Sequence, residues 1–353
     1  MKLLANNLRG VGLKFSPSKP VSSNAENVKK LIFKCPVYAQ TPLHECTDLA
    51  KLLGIESLYV KDERPRMGLG SFKALGATYA IAKKAAKSPL INEQPERTLE
   101  GETFITASAG NHGMSVAAGA RVFGANSVVY LSETVPKEFA GKLREKGAKV
   151  IIEGKDYEAS MRAAAARAKQ EGWILLSDST WEGYSAGYDV MEGYLMMPEE
   201  VLVQMTTSPT HIFLQAGVGG LAAAVTAFVR SKWGSSPKII IVEPSEAPAI
   251  MESIKAGKPV YAEGKVSIMG RLDCKEPSHL ALYCLAKEAD FFMTLSDAEV
   301  LESIMELSSC GLQTSASGGA GYAGLVKALI NQDCNLDTSS RVLLFLSEGV
   351  ADD

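Results

Sequence analysis

Gly68-Leu69-Gly70-Ser71-Phe72-Lys73-Ala74-Leu75-Gly76 sets one lysine between two kinds of local structure. Before it, residues 57–62 (Ser-Leu-Tyr-Val-Lys-Asp) read as a strand; after it, the alanine-rich stretch 74–86 reads as a helix. Alone, such a lysine is as readily a solvated helix-terminal side chain as a reagent. Three other segments give it meaning: Ser108-Ala109-Gly110-Asn111-His112, Gly217-Val218-Gly219-Gly220 and Ser347-Glu348-Gly349. Each follows an apolar, strand-like run, so each falls at the carboxyl end of a strand, where open α/β sheets bind ligands.

The segments offer separable chemistries. Lys73 carries an amine that can condense with an aldehyde, and at neutral pH it can do so only if burial or a neighbouring cation lowers its pKa. Gly217, Gly219 and Gly220 let backbone N–H groups close around a phosphate at the start of a helix running on from Leu221. Asn111 can hydrogen-bond a ring hydroxyl. Ser347 can face a pyridine nitrogen with a neutral donor, which would keep that nitrogen largely unprotonated. Together these groups describe a site for pyridoxal 5′-phosphate, contacted by Lys73, Phe72, Asn111, Gly217, Val218, Gly219, Gly220, Leu221 and Ser347. Taken alone, the glycine turn could equally bind a dinucleotide or only tighten packing, although no acidic residue stands at the spacing a ribose would favour.

The combination resembles the fold-type II pyridoxal-phosphate enzymes, and within them the diaminopropionate ammonia-lyases. That likeness rests on Lys61-Asp62-Glu63 followed by 68–76, on Asp178-Ser179-Thr180-Trp181-Glu182-Gly183-Tyr184, and on Ile268-Met269 leading into Cys274-Lys275-Glu276-Pro277. It spans nearly the whole chain. The Lys-Asp-Glu and Trp-Glu-Gly-Tyr elements mark that group, whereas Ser-Ala-Gly-Asn-His and the glycine turn are shared with threonine and serine dehydratases.

The resemblance implies an α/β, tryptophan synthase β-like fold of two three-layer α/β domains with mostly parallel sheets. It implies α,β-elimination from a β-substituted amino acid, 2,3-diaminopropionate-like, giving a 2-oxo acid such as pyruvate and ammonia. A serine/threonine or 3-hydroxyaspartate dehydratase is the alternative; a β-replacement synthase or a non-catalytic cofactor-binding protein are lesser ones. Asp178 matches an active-site aspartate that can meet the substrate's distal amine or assist proton transfer, so Lys73 and Asp178 form the catalytic pair. Ser108, Ala109, Tyr184 and Arg271 are the candidate substrate contacts. His112 and Trp181 read as structural.

Two departures from that group stand out. Its motif carries an aspartate before the Gly-Asn-His step that acts as the base for the D-substrate, and this chain has Ala109 there, which leaves Lys73 as the only Cα base and favours the L-isomer. Arg271, Asp273 and Lys275 bring charges into a segment that is small and neutral in the group. An Arg271 pointing into the cleft could pair with a carboxylate on the substrate side chain, as in a hydroxyaspartate; otherwise it is a surface arginine.

Along the chain, strands at 103–106, 127–131, 149–152 and 173–176 alternate with helices at 113–122, 137–146 and 157–170, the order of βαβ units with a parallel sheet. A second series has strands at 212–215, 238–242 and 342–346, with helices from 221, near 246–256 and at 297–308. The lysine segment precedes both series, so the larger domain is read as discontinuous: 1–73 and 192–353 form the large cofactor-binding domain, 74–191 the small one, with the site in the cleft between them. Residues 86–102 read as a surface loop.

With 353 residues, 46% of them hydrophobic, and a net charge of −3, the chain can bury a large core and offers no electrostatic footprint for nucleic acid. No apolar run reaches the roughly 20 residues that span a bilayer, and the amino terminus lacks the apolar core of a secretory signal. A cytoplasmic enzyme acting on a small amino acid is expected, without membrane or nucleic-acid partners, and paired as a homodimer as its relatives commonly are. The six cysteines, 35, 46, 274, 284, 310 and 334, show neither a C-x-x-C pair nor zinc spacing, so no metal site is indicated.

Overall fold

In the computed structural model the chain is described except for residues 16, 18, 109, 134, 136 and 351–353. In chain order the first elements are β1 (Lys2–Ala5), α1 (Glu26–Ile32), β2 (Leu43–Glu45), α2 (Thr47–Leu53), β3 (Ser57–Asp62) and α3 (Lys73–Ala85). A compact series follows: β4 (Thr103–Ala107), α4 (Asn111–Val122), β5 (Asn126–Leu131), α5 (Lys137–Glu145), β6 (Lys149–Ile152), α6 (Tyr157–Glu171) and β7 (Ile174–Leu175). The remainder comprises α7 (Gly187–Gly193), α8 (Met196–Gln204), β8 (His211–Gln215), α9 (Gly220–Trp233), β9 (Lys238–Pro244), α10 (Ala249–Ala256), α11 (His279–Glu288), β10 (Phe291–Leu295), α12 (Asp297–Ser309), α13 (Ala320–Ile330) and β11 (Arg341–Leu346).

These strands form two sheets. The larger runs β1-β10-β9-β8-β11-β3-β2, parallel except for β1 and β2 at its edges; the smaller runs β6-β5-β4-β7 and is parallel throughout. Parallel strands covered on both faces read as unbroken apolar runs, and Ile212-Phe213-Leu214 within β8 and Ile239-Ile240-Ile241-Val242 within β9 are such runs. Along β8, Ile212 and Leu214 pack toward α3, α9 and α11, while Phe213 packs toward α12 and α13; Leu343 and Phe345 of β11 alternate with Val342, Leu344 and Leu346 in the same way. In the smaller sheet Val128 and Tyr130 face Ala164 and Ala168 of α6, while Val129 and Leu131 face Leu143 of α5 and Ala117 of α4. Each sheet therefore carries helices on both faces, giving two three-layer α/β units.

Most expected elements are present within a residue or two. The strand expected at 173–176 is shortened to Ile174–Leu175, and 86–102 holds only two short 3-10 turns with no buried residue in either. Sequence reading passed over β1 and β2, which are three- and four-residue antiparallel edge strands, and β10, an unbroken apolar run whose period does not separate strand from buried helix. It also passed over α7, α8, α11 and α13, which are buried along much of their circumference and so show little amphipathic contrast.

The Lys61-Asp62-Glu63 element has a structural task. Arg66 and Glu63 are 0% exposed, and Arg66 donates to Glu63 Oε2 at 2.7 Å and to Glu200 Oε1 of α8 at 2.7 Å. Lys61 Nζ meets Glu200 Oε2 at 2.6 Å and the Thr41 carbonyl at 2.7 Å. Burial pulls the Lys61 ammonium below its ordinary pKa even though Glu200 and Glu63 oppose it. Two cations and two anions thus cancel out of water, and they pin the turn leading from β3 to Lys73. Because a buried charge that loses one partner is left uncompensated, Glu200→Gln should lower the unfolding free energy by about 3–5 kcal/mol in urea titration; a change under about 1 kcal/mol would show that the network does not hold the turn.

Candidate active site

Lys73 opens α3, and main-chain pairing brings it beside the end of β11. Phe72 N–H donates to the Ser347 carbonyl at 3.0 Å and Gly349 N–H to Gly70 O at 3.1 Å, with Ser71 and Glu348 bridged antiparallel between them. The end of β8 lies in the same cleft, with Gln215 followed by the glycine turn. From the smaller sheet come Ala107, Ser108, Gly110, Asn111 and His112 after β4, Tyr157 of α6, and Asp178 after β7. The cleft lined by these residues has a volume of about 200 Å³.

At its base the Lys73 ammonium contacts Asp178 Oδ2, with side chains 19% and 13% exposed. Burial pulls the lysine down, but the charge of Asp178 outweighs it, and Lys73 is held above its ordinary pKa. For Asp178 burial pushes up, but Lys73, then His112, pull harder, and its carboxyl falls to about 2. The lowered lysine expected from the sequence is therefore corrected: in the cofactor-free chain Lys73 and Asp178 are an ion pair. Reactivity of the amine requires a proton to leave it, and Asp178 is the group in contact.

The glycine turn fits a phosphate. Gly219 has φ +95°, and α9 begins without a side-chain cap, so its first N–H groups find no acceptor in the helix. A Cβ on Gly217 would stand 2.9 Å from Cys274 Sγ and 3.1 Å from the Leu272 Cα, so only glycine admits the close approach of the 270–274 segment. Val218 and Leu221 line the same turn. Burial pushes the Cys274 thiol up to about 12, which leaves it unreactive. An amine, an uncapped helix start behind a glycine cradle, a serine hydroxyl and an amide converge here, the donor set that pyridoxal phosphate requires.

Ser347 is 4% exposed, and its Oγ lies 3.0 Å from Gln215 Nε2. Asn111 does not stand alone: its Nδ2 donates to Glu348 Oε2, and Ser315 Oγ donates to Oε1 of the same carboxyl. Burial raises the Glu348 pKa against the pull of Ser315, Arg271 and Lys73. His112 is buried; Nε2 lies 2.9 Å from the Leu176 carbonyl and Nδ1 has no partner, so the ring, its pKa lowered by burial, is a neutral Nε2–H tautomer.

On the substrate side, Ser108 Oγ accepts from Gly110 N–H at 3.2 Å and Gly113 N–H at 3.0 Å, which shapes the loop before α4. Ala109 lies outside the described residues. Arg271 lines the cleft: its Cδ, Nε and Cζ lie 3.1–3.3 Å from where a Gly110 Cβ would be, and Cζ is 5.9 Å from the Phe139 ring centroid. Tyr184 is not among the lining residues. Its hydroxyl accepts from Ser177 N–H at 2.8 Å and donates to Leu175 O at 3.0 Å, and its ring stacks on Trp181 at 4.2 Å.

Sequence reading gave no site role to Gln215, Glu348, Ser317, Tyr157, Gly270, Leu272 or Asp273, which line the cleft beside the expected Arg271. Gln215 had a signal, a polar side chain closing an apolar strand directly before the glycine turn, and Glu348 adjoins Ser347. Tyr157 had none. Among the described residues no group of three or more His, Cys, Asp or Glu could hold a metal ion, and no helix is long and apolar enough to cross a membrane.

The pyridoxal-phosphate dependent enzyme family matches residues 35–348. The diaminopropionate ammonia-lyase of Salmonella typhimurium is 33% identical over 350 residues, covering 90% of this chain and 86% of that protein. Human L-serine dehydratase/L-threonine deaminase is 27% identical over 274 residues, 76% of each chain. The crystal structure of Escherichia coli diaminopropionate ammonia lyase in complex with an aminoacrylate-PLP azomethine reaction intermediate superposes with a TM-score of 0.86 at 30% identity, covering 99% of this chain and 93% of that one. This chain belongs to the pyridoxal-phosphate dependent enzymes and, within them, to the diaminopropionate ammonia-lyase family.

Proposed function

We propose that the protein is a pyridoxal-phosphate-dependent ammonia-lyase that eliminates ammonia from 2,3-diaminopropionate or a close β-substituted amino acid, yielding after hydrolysis a 2-oxo acid such as pyruvate and further ammonia. The observation that carries this reading is the Lys73–Asp178 contact within the cleft. When bound, the cofactor supplies an aldehyde for an amino group and a conjugated ring that accepts the electron pair of a broken Cα–H bond. The side chains do the rest. Lys73 holds the cofactor, then removes the Cα proton as a free amine. The glycine turn before α9 holds the phosphate, Ser347 and Asn111 meet the ring, and the loop before α4 meets the substrate carboxylate.

Asp178 favours a diamine. Burial opposes, but paired with Lys73 the Asp178 carboxyl is held at about 2 and stays ionised. Once the Lys73 nitrogen is engaged elsewhere, the buried carboxylate needs another positive charge, and a β-ammonium supplies it. Such a group also carries its own proton and leaves as neutral ammonia, whereas a hydroxyl needs a separate acid. A second reading, elimination from a 3-hydroxyaspartate, draws support from Arg271 at the cleft wall. Ala109 offers no proton-accepting group, which favours the L-isomer.

Steady-state kinetics on both enantiomers of 2,3-diaminopropionate, on L-serine and on 3-hydroxyaspartate test these roles together. The L-diamine should be preferred over the D-isomer, and equal rates would remove Lys73 as sole base. Asp178→Asn should lower kcat/KM for the diamine roughly ten- to hundredfold, the worth of a charged hydrogen bond, and for serine much less; an equal loss on both would reject Asp178 as the β-ammonium partner. Arg271→Ala should cut hydroxyaspartate selectively if the second reading holds, and an even loss across the panel would end that reading.

The pair also predicts an acid transition. The depressed carboxyl contributes stability that is present above its unfolded pKa and lost as pH falls through the folded one. Between pH 3.8 and about 2, cofactor-free wild type should therefore lose about 2 kcal/mol more unfolding free energy than Asp178→Asn, and parallel urea curves would contradict it. For assembly we propose a cytoplasmic two-fold dimer, which a monomeric mass in light scattering would overturn.

A further inference from the structure

We propose that Tyr194 is a positioning residue whose hydroxyl receives the Lys73 amine once substrate has taken the lysine's place on the cofactor, leaving that amine free to act on Cα; this rests on the reading above that Lys73 both holds the cofactor and is the base. Tyr194 directly follows α7 and is 0% exposed. Its ring lies tilted on Phe72 at 4.8 Å, and the Lys73 nitrogen stands 5.7 Å from its centroid. A Cβ on Gly76 would be 2.5 Å from Cε1, and one on Gly220 3.3 Å from Cε2. The hydroxyl end of the ring is thus wedged between the first turns of α3 and α9, behind the lysine. Burial raises the phenol, and Lys73 is near enough to oppose it by its charge and by the edge of a hydrogen bond. By geometry the approach falls short of a bond, and Oη has no partner. A buried hydroxyl left unpaired costs stability, and the cause here is that its cationic neighbour is held by Asp178.

The resting pair cannot serve the base. As the substrate nitrogen bonds to the cofactor, the bond to Lys73 breaks and the lysine leaves as a neutral amine with two hydrogens and one lone pair. Burial favours that neutral form, but beside Asp178 the amine takes up a proton, because the carboxylate holds Lys73 above its ordinary pKa. Among the other titratable groups around it, Cys274 keeps its proton, His112 is neutral, and Glu348 is engaged by Asn111 and Ser315. Tyr194 is a neutral acceptor, since burial keeps its phenol protonated. An oxygen that accepts one N–H leaves the amine's lone pair for the Cα hydrogen. Asp178 is then released to the β-ammonium, and the orphaned hydroxyl gains its partner at the step that needs it.

The test is a crystal structure of the chain with the borohydride-reduced conjugate of pyridoxal phosphate and L-2,3-diaminopropionate, which keeps its β-ammonium and cannot eliminate. Lys73 Nζ should lie within hydrogen-bonding distance of Tyr194 Oη; a nitrogen found on Asp178, on His112 Nδ1 or on the cofactor phosphate overturns the proposal. Beside it, the pH dependence of kcat for the L-diamine is compared between wild-type holoenzyme and Tyr194→Phe, which keeps the ring and removes only the hydroxyl. Without that acceptor the amine returns to Asp178, so the acid limb should move up by about one pH unit, an approximately tenfold lower kcat below it; an unmoved or lowered limb rejects the role. Cofactor-free Tyr194→Phe should unfold at no lower urea concentration than wild type, because the hydroxyl it lacks was unpaired, and a loss of stability would reveal a resting partner and end the proposal. Lys73→Ala separates the two levels: if it still eliminates at the wild-type rate, Lys73 is not the base, and the reading of the site falls together with the part given to Tyr194.

Discussion

An amine taken out of water must either lose its proton or find an anion, and the architecture of this protein is arranged around the second solution. Burial alone would drive Lys73 toward neutrality. Asp178 reverses that, and each keeps the other charged. Neither is stable in the cleft alone, so the fold must deliver both to one point from different sheets: Lys73 from the turn after β3, Asp178 from the segment after β7. That requirement makes the space between the sheets a site.

Delivery to within hydrogen-bonding distance demands a rigid approach, and backbone groups provide it on the larger sheet. Residues 70–72 pair with 347–349, so Lys73 and Ser347 move as one body. The fully buried network of Lys61, Glu63, Arg66 and Glu200 fixes the preceding turn. The 270–274 segment then closes over Gly217 at a distance no side chain would permit. The catalytic groups are few, but their positions are consequences of main-chain pairing and buried charge that lie one step behind them.

This layering explains what the sequence disclosed. Strand ends followed by glycine, lysine or serine were legible, because open α/β sheets place ligands there and because glycine and lysine carry distinctive chemistry. The parallel strands β4, β5, β8, β9 and β11 were legible from unbroken apolar runs. Edge strands such as β2 were not, since three residues carry no period. Nor was the protonation state of Lys73, because a pKa depends on a partner 105 residues away that spacing does not reveal. Tyr184 illustrates the converse: its motif marks the group, yet its hydroxyl serves the backbone of residues 175 and 177.

Charge alternates across the cleft, and the alternation bears on what it admits. Lys73 and Asp178 lie at its base; Glu348 holds Asn111 and Ser315; Arg271 lies along Gly110 at the wall. Under the proposed function, an amino acid with a β-ammonium would present matching charges, its carboxylate toward the loop before α4 and its ammonium toward Asp178. Arg271 fits beside that arrangement because residue 110 has no Cβ: a methyl group there would stand 3.1 Å from Arg271 Cδ and would have to push the guanidinium aside. Asp273 and Lys275, the other charges of the segment, pair with each other at 2.7 Å, and Lys275 also donates to the carbonyls of Glu246 and Lys265. Those two stabilise their own loop. Of the three charges of this segment, it is the arginine's cation that is laid against Gly110 in the loop before α4, where the proposed function seats the substrate carboxylate.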